Sequence, residues 1–169
     1  MIRQLQRVDV RHIARRLRPG DRDEVIGMRG HDYFTSLIDS IMRCTQAYCA
    51  TYEGRPVAMG GIQDGGSYWQ LWMLATDSFP AVGWEVTEFV RSSILPMLAD
   101  SGKEKAICDS IESHSQAHQW LKLLGARDLG PVPIGLHGEV YRRFQWERDS
   151  VHIRKPGPPG QQREHRRPG

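Results

Sequence analysis

Residues 67–97 constrain this chain more than any other stretch, because an apolar strand, a break and a long amphipathic helix follow one another directly. Residues 68–76 (Tyr-Trp-Gln-Leu-Trp-Met-Leu-Ala-Thr) carry no charge. A strand of that kind belongs inside a sheet covered on both faces. Asp77 and Ser78 are suited to accept hydrogen bonds from free backbone N–H groups, and Pro80 suits a first helical turn. Val82, Val86, Phe89, Val90, Ile94, Met97 and Leu98 then recur at three- and four-residue steps, which gives the helix one apolar face. Where a central strand runs into a helix, α/β sheets place ligands.

The rest of the chain reads as elements arranged around this junction. A short strand over 2–6, a helix over 8–17 and a second short helix through Met28, capped by Asp21, come first. A third helix follows over 31–43. The period then falls to two: runs 45–52 and 57–62 lead through turns into 68–76 as three hairpin-linked strands. Pro96 should bend or end the long helix. Residues 105–111 form a fifth strand, and 114–124 a helix that stops at Gly125. Runs 126–129 and 139–146 are two final strands around a 131–135 loop. The expected fold class is α+β, with helices on both faces of a mixed, mostly antiparallel sheet of about seven strands. Strands four and five flank the long helix and should run parallel.

Length fits one domain over 1–150, followed by a basic Pro/Gly-rich tail over 151–169. The formal charge of +3 hides an asymmetry: residues 1–18 carry +5, the tail +4 and the remainder −6. Basic ends around an acidic middle point to docking onto an acidic protein surface through 1–18 and 151–169. Without interleaved aromatics the tail offers nucleic acid no stacking platform, so a nucleic-acid accessory working through both basic ends is a third and weaker expectation. No run is long enough for a membrane span. Three cysteines, Cys44, Cys49 and Cys108, form no CxxC pair and read as buried thiols of a reducing cytoplasm, or of a particle assembled there.

Three motifs carry a resemblance: Trp72-Met73-Leu74-Ala75-Thr76, the run from Ser113 through His114, Trp120 and Leu121 to Gly125-Ala126, and Gly138 to Phe144. With the element order, they resemble the GNAT superfamily of acyl-CoA-dependent N-acetyltransferases over residues 1–146. Their combination looks closest to the small GNAT-like morphogenesis proteins of short-tailed bacteriophages. The resemblance implies acyl-CoA binding, if any, at Leu74, Thr76, Val82, Gly83, Trp84 and His114, with no metal.

Two departures weaken that implication. GNAT enzymes hold the CoA diphosphate on a glycine-rich loop at the start of the long helix, where bare amides and the helix dipole make an anion site. Here residues 78–85 supply one glycine, Gly83, beside Pro80, Trp84 and the anionic Glu85. Trp84 stands where the cofactor would enter and is expected to fill that gap. The Tyr that often protonates the leaving thiolate in the family aligns with Leu121, which transfers no proton, so no catalytic residue is assigned. His114 aligns with the usual Asn and reads as a helix-start residue.

The leading expectation is therefore a catalytically inactive GNAT-fold phage morphogenesis or virion-associated protein, without cofactor, that binds other phage proteins in the host cytoplasm or virion. The alternative is an active acyl-CoA-dependent N-acyltransferase modifying a host or phage amine, using a splayed gap between strands four and five. Other constellations are weaker. His114 and His118 lie one turn apart near Asp109 and Glu112, but Ser115 replaces the Glu of an HExxH zinc helix. Asp64 and Asp77 suit turns.

Overall fold

The computed structural model describes residues 1–151. Seven strands form one sheet: β1 (Ile2–Gln4), β2 (Gln46–Tyr52), β3 (Arg55–Asp64), β4 (Tyr68–Ala75), β5 (Lys105–Ile111), β6 (Arg127–Val132) and β7 (Tyr141–Glu147). Their order across the sheet is β1-β2-β3-β4-β5-β7-β6. Every neighbouring pair is antiparallel except β4 and β5. The α+β architecture and the parallel pair flanking the long helix match the reading of the sequence.

Alternation along the strands sorts the core onto two faces. Cys49, Met59 and Leu74 pack with α1 (Arg7–Ala14), α2 (Pro19–Arg29) and α3 (Tyr33–Ile41). Ala50, Ala58 and Ile62 turn the other way, toward α4 (Gly83–Phe89), α5 (Leu95–Asp100) and α6 (Ser115–Leu123). A final turn, α7 (Arg148–Val151), follows β7. None of the described helices is long and apolar enough to cross a membrane.

Pro96 does not end the long helix. A π-helical turn, Val90–Ile94, joins α4 to α5, with the Leu95 N–H bonding the Val90 carbonyl. The wider turn gives the proline ring room that a regular α-turn would deny it. β6 extends through Pro131 and Val132 into the expected loop, and as an edge strand it tolerates a residue without an N–H. Asp21 lies inside α2 and is fully buried, so it is not the helix cap.

Nor is the basic N-terminal segment an appendage. β1 pairs with β2, and α1 buries Val10, Ile13 and Ala14. Three of its arginines are paired internally: Arg3 with Asp9 at 2.6 Å, Arg7 with Asp39 at 3.0 Å and Arg18 with Asp21 at 2.7 Å. The basic tail expected over 151–169 lies, from residue 152 on, outside the described residues.

Candidate functional site

β4 and β5 are paired only across Tyr68↔Lys105, Trp69↔Ala106 and Gln70↔Ile107. Beyond these residues β4 stays with β3 as far as Ala75, and β5 stays with β7 as far as Ile111. Two strands held by different neighbours diverge, and the wedge between them opens into a cleft of about 370 Å3. Its walls include Asp21 and Glu24 of α2 on one side and Trp120 and Leu121 of α6 on the other.

Main-chain direction along β4 decides what faces the wedge. The Thr76 N–H bonds the Val57 carbonyl at 2.9 Å, so by alternation Leu74 and Thr76 turn their polar groups toward β3, and Met73 and Ala75 toward the wedge. Both groups of Ala75 are already taken. Its N–H donates to Asp21 Oδ2 at 2.8 Å, and its carbonyl accepts from the Arg18 N–H at 2.9 Å. Met73, two residues deeper, faces the wedge beyond the last β5 pair.

The wide end of the wedge carries an acidic network. Asp21 also accepts from Arg18 Nε at 2.7 Å. Burial pushes the Asp21 carboxyl above its ordinary value, outweighing the pull of Arg18. Glu24 Oε1 accepts from the Ser110 hydroxyl and from the Ile111 N–H at 3.0 Å, and His114 Nδ1 lies 3.2 Å away. His114 Nδ1 is also 3.6 Å from Asp21 Oδ1. The Tyr141 hydroxyl donates to the Glu24 carbonyl at 2.6 Å, and burial raises its pKa. Ligand atoms of Asp21, Glu24 and His114 fall within 4.8 Å of one another. Arg18, Ser110 and two backbone N–H groups already occupy both Asp21 oxygens and Glu24 Oε1, so the cluster is a hydrogen-bonded network with one carboxylate oxygen, Glu24 Oε2, left over, rather than an open metal-ligand set.

Leu74, Thr76 and Val82 are buried. Gly83 opens α4. Trp84 is 73% exposed and fills no gap. Val82 and Val86 point inward one turn apart, and 200° of helical rotation puts Trp84 on the opposite side. A half-buried indole, Trp120, reaches from α6 to Thr87 on α4. Glu85 Oε2 lies 2.9 Å from the Met1 amino group. His114 makes no side-chain cap bond and joins Asp21 and Glu24 instead. His118 Nε2 sits 3.0 Å from the Ile111 carbonyl, away from any carboxylate pair with His114. Asp109 is held by Arg143 at 2.8 and 2.9 Å, and Glu112 lies 3.5 Å from Arg142. Asp64 accepts the Gly66 N–H at 2.7 Å, as a turn residue does. At the start of the helix it is the Thr76 hydroxyl, not Asp77 or Ser78, that accepts a backbone N–H, from Ser78 at 3.3 Å. Burial raises the Cys49 thiol to about 11 and pushes Cys108 up as well, which leaves both protonated and unreactive. Met73, Glu24, Ser110, Tyr141 and Trp120 had no site role in the sequence; the only local signal was Asp21 and Glu24 on one face of a helix, three residues apart.

A mixed sheet that splits between its two parallel central strands, with a helix crossing from one to the other, is a specific architecture. The fold is that of the GNAT N-acetyltransferases. An aminoglycoside 6'-acetyltransferase type Ii superposes with a TM-score of 0.63 at 17% identity, over 92% of this chain and 99% of that one. A GNAT superfamily phosphinothricin acetyltransferase from Sinorhizobium meliloti, solved with AcCoA, gives 0.65 at 14% identity over 87% of each chain. A ribosomal-protein-S5-alanine acetyltransferase from Vibrio fischeri gives 0.60 at 13% identity, over 92% and 94%. No protein-family model matches the chain, and no curated protein matches it by sequence. Nothing among the GNAT neighbours links it to bacteriophage morphogenesis proteins.

Proposed function

We propose that this chain is an acyl-CoA-dependent N-acyltransferase acting on a primary amine. The observation that carries the reading is the wedge: it is open beyond Gln70 and Ile107, its narrow end faces the Met73 main chain, and its wide end holds Glu24. The slot suits the thin pantetheine arm of an acyl donor, whose thioester supplies an activated carbonyl. The Met73 N–H is directed to donate to that carbonyl oxygen, favouring the charge that develops there during attack. Glu24 Oε1 is held by three partners, while Oε2 makes no hydrogen bond among the described residues. Oε2 is thus available to bind the substrate ammonium and accept its proton. The freed amine attacks the carbonyl carbon to form the C–N bond, the C–S bond breaks, and the proton the nitrogen then sheds passes through water to the leaving thiolate, since Leu121 has none to give.

The diphosphate is less well provided for. Residues 78–85 offer Pro80 and a single glycine, and the Ala81 and Val82 N–H groups are spent on Ser78 and Phe79. That feature favours the second reading, a GNAT fold that binds other proteins without turning over. Calorimetry with acetyl-CoA, followed by assay of thiol release with a panel of primary amines, separates the two. Binding and amine-dependent release are expected; neither, from folded protein, would overturn the acyltransferase reading.

A further inference from the structure

A second, smaller cavity of about 90 Å3 lies beneath α4 on the sheet face opposite α2. Apolar side chains and strand glycines line it almost completely. It shares Leu71, Met73, Cys108, Trp120 and Leu121 with the wedge cleft, so the two spaces adjoin at the split between β4 and β5. Small residues create the room: Ala50, Ala58 and Gly60 occupy positions where larger strand side chains would meet α4. Gly60 keeps this floor low, because a Cβ there would stand 3.0 Å from the Trp72 carbonyl and 3.5 Å from the Met73 side chain.

We infer that this cavity receives the alkyl chain of the acyl donor, and that the preferred donor carries an acyl group of four or five carbons rather than acetyl. The inference rests on the acyltransferase reading and specifies its substrate. With water occupying about 30 Å3 in the liquid, a space of this size accepts about three methylene-sized groups, and a dry apolar cavity rewards such groups and not water. A carbonyl held at Met73 lies at the boundary of the cavity, since the Met73 side chain lines it. An acetyl group would leave the space empty. A chain of eight carbons would exceed it.

The test is direct binding of CoA, acetyl-CoA, butyryl-CoA and octanoyl-CoA to the full chain by calorimetry. Butyryl-CoA is expected to bind about tenfold more tightly than acetyl-CoA, the lower end of discrimination by an apolar pocket. Ala58→Val, which narrows the cavity, should abolish that preference and leave CoA binding unchanged. Should Ala58→Val fail to fold, Ala50→Val narrows the same space from β2. Equal or tighter binding of acetyl-CoA by wild type would overturn the inference and leave the acyltransferase reading standing. A preference for butyryl-CoA that survives both substitutions would also overturn it. Absence of binding by every thioester would overturn both together.

Discussion

Trp120 Nε1 donates to Thr87 Oγ1 at 2.9 Å, and that hydroxyl donates in turn to the Gly83 carbonyl at 2.7 Å. One hydrogen-bonded chain therefore joins α6 to the first turn of α4, with the Phe79 ring edge-on to the indole at 6.3 Å. Thr87→Val keeps the shape and removes the acceptor. A partly buried indole N–H without a partner should cost about 1–2 kcal/mol, seen as a lower urea midpoint with an unchanged slope.

Glu24→Gln should separate binding from chemistry. The amide keeps the size of the side chain and can still accept from Ile111, but it cannot take a proton. Acyl-CoA affinity should be retained while kcat/KM for the amine falls by about 10²–10⁴. Equal activity in the two proteins would remove Glu24 from the reaction.

Gly20 is packed against His114 so closely that an ideal Cβ would stand 2.5 Å from the ring Cδ2 and 2.7 Å from Nε2. Gly20→Ala must displace the imidazole, and so disturb its contact with Glu24. A loss of about 1–3 kcal/mol is expected from overpacking. Thermal unfolding measures the loss, and the imidazole resonances in an NMR spectrum should report the displaced ring.

Asp9 sets an acid limit on stability. Burial alone would raise its carboxyl, but the bidentate Arg3 and the Gln6 N–H more than reverse this and hold it below its ordinary 3.8. A depressed carboxyl stabilises the fold above the unfolded value and stops doing so as pH falls through the folded one. Asp9→Asn should therefore cost about 2 kcal/mol at neutral pH, and its gap from wild type should close below about pH 3.8. Denaturant titrations at several pH values test this.

How far the sequence could be read depends on how local each feature is. The order of strands and helices follows from period and punctuation, and the parallel β4–β5 pair from the helix that must cross between them. Gly125, at φ +90, ends α6 where its lack of a side chain said it would. Trp84 stands at the cofactor's place along the chain but not on the helix, where Val82 and Val86, two residues to either side, turn inward and put it outside. The acidic network was not legible, since Glu24 meets Ser110 and His114 only through tertiary packing. Pro96 leaves the helix unbroken because a π-turn, which no single residue announces, precedes it.

The capture of Ala75 by Asp21 and Arg18 has a consequence for ligand-free protein. Left with bare amide and carbonyl groups, two diverging strands would tend to zip shut along their whole length. Here the helix N-terminal to the sheet supplies the missing partners, so the fork is propped apart by the chain itself. Whatever enters finds its channel preorganised and need not prise it open.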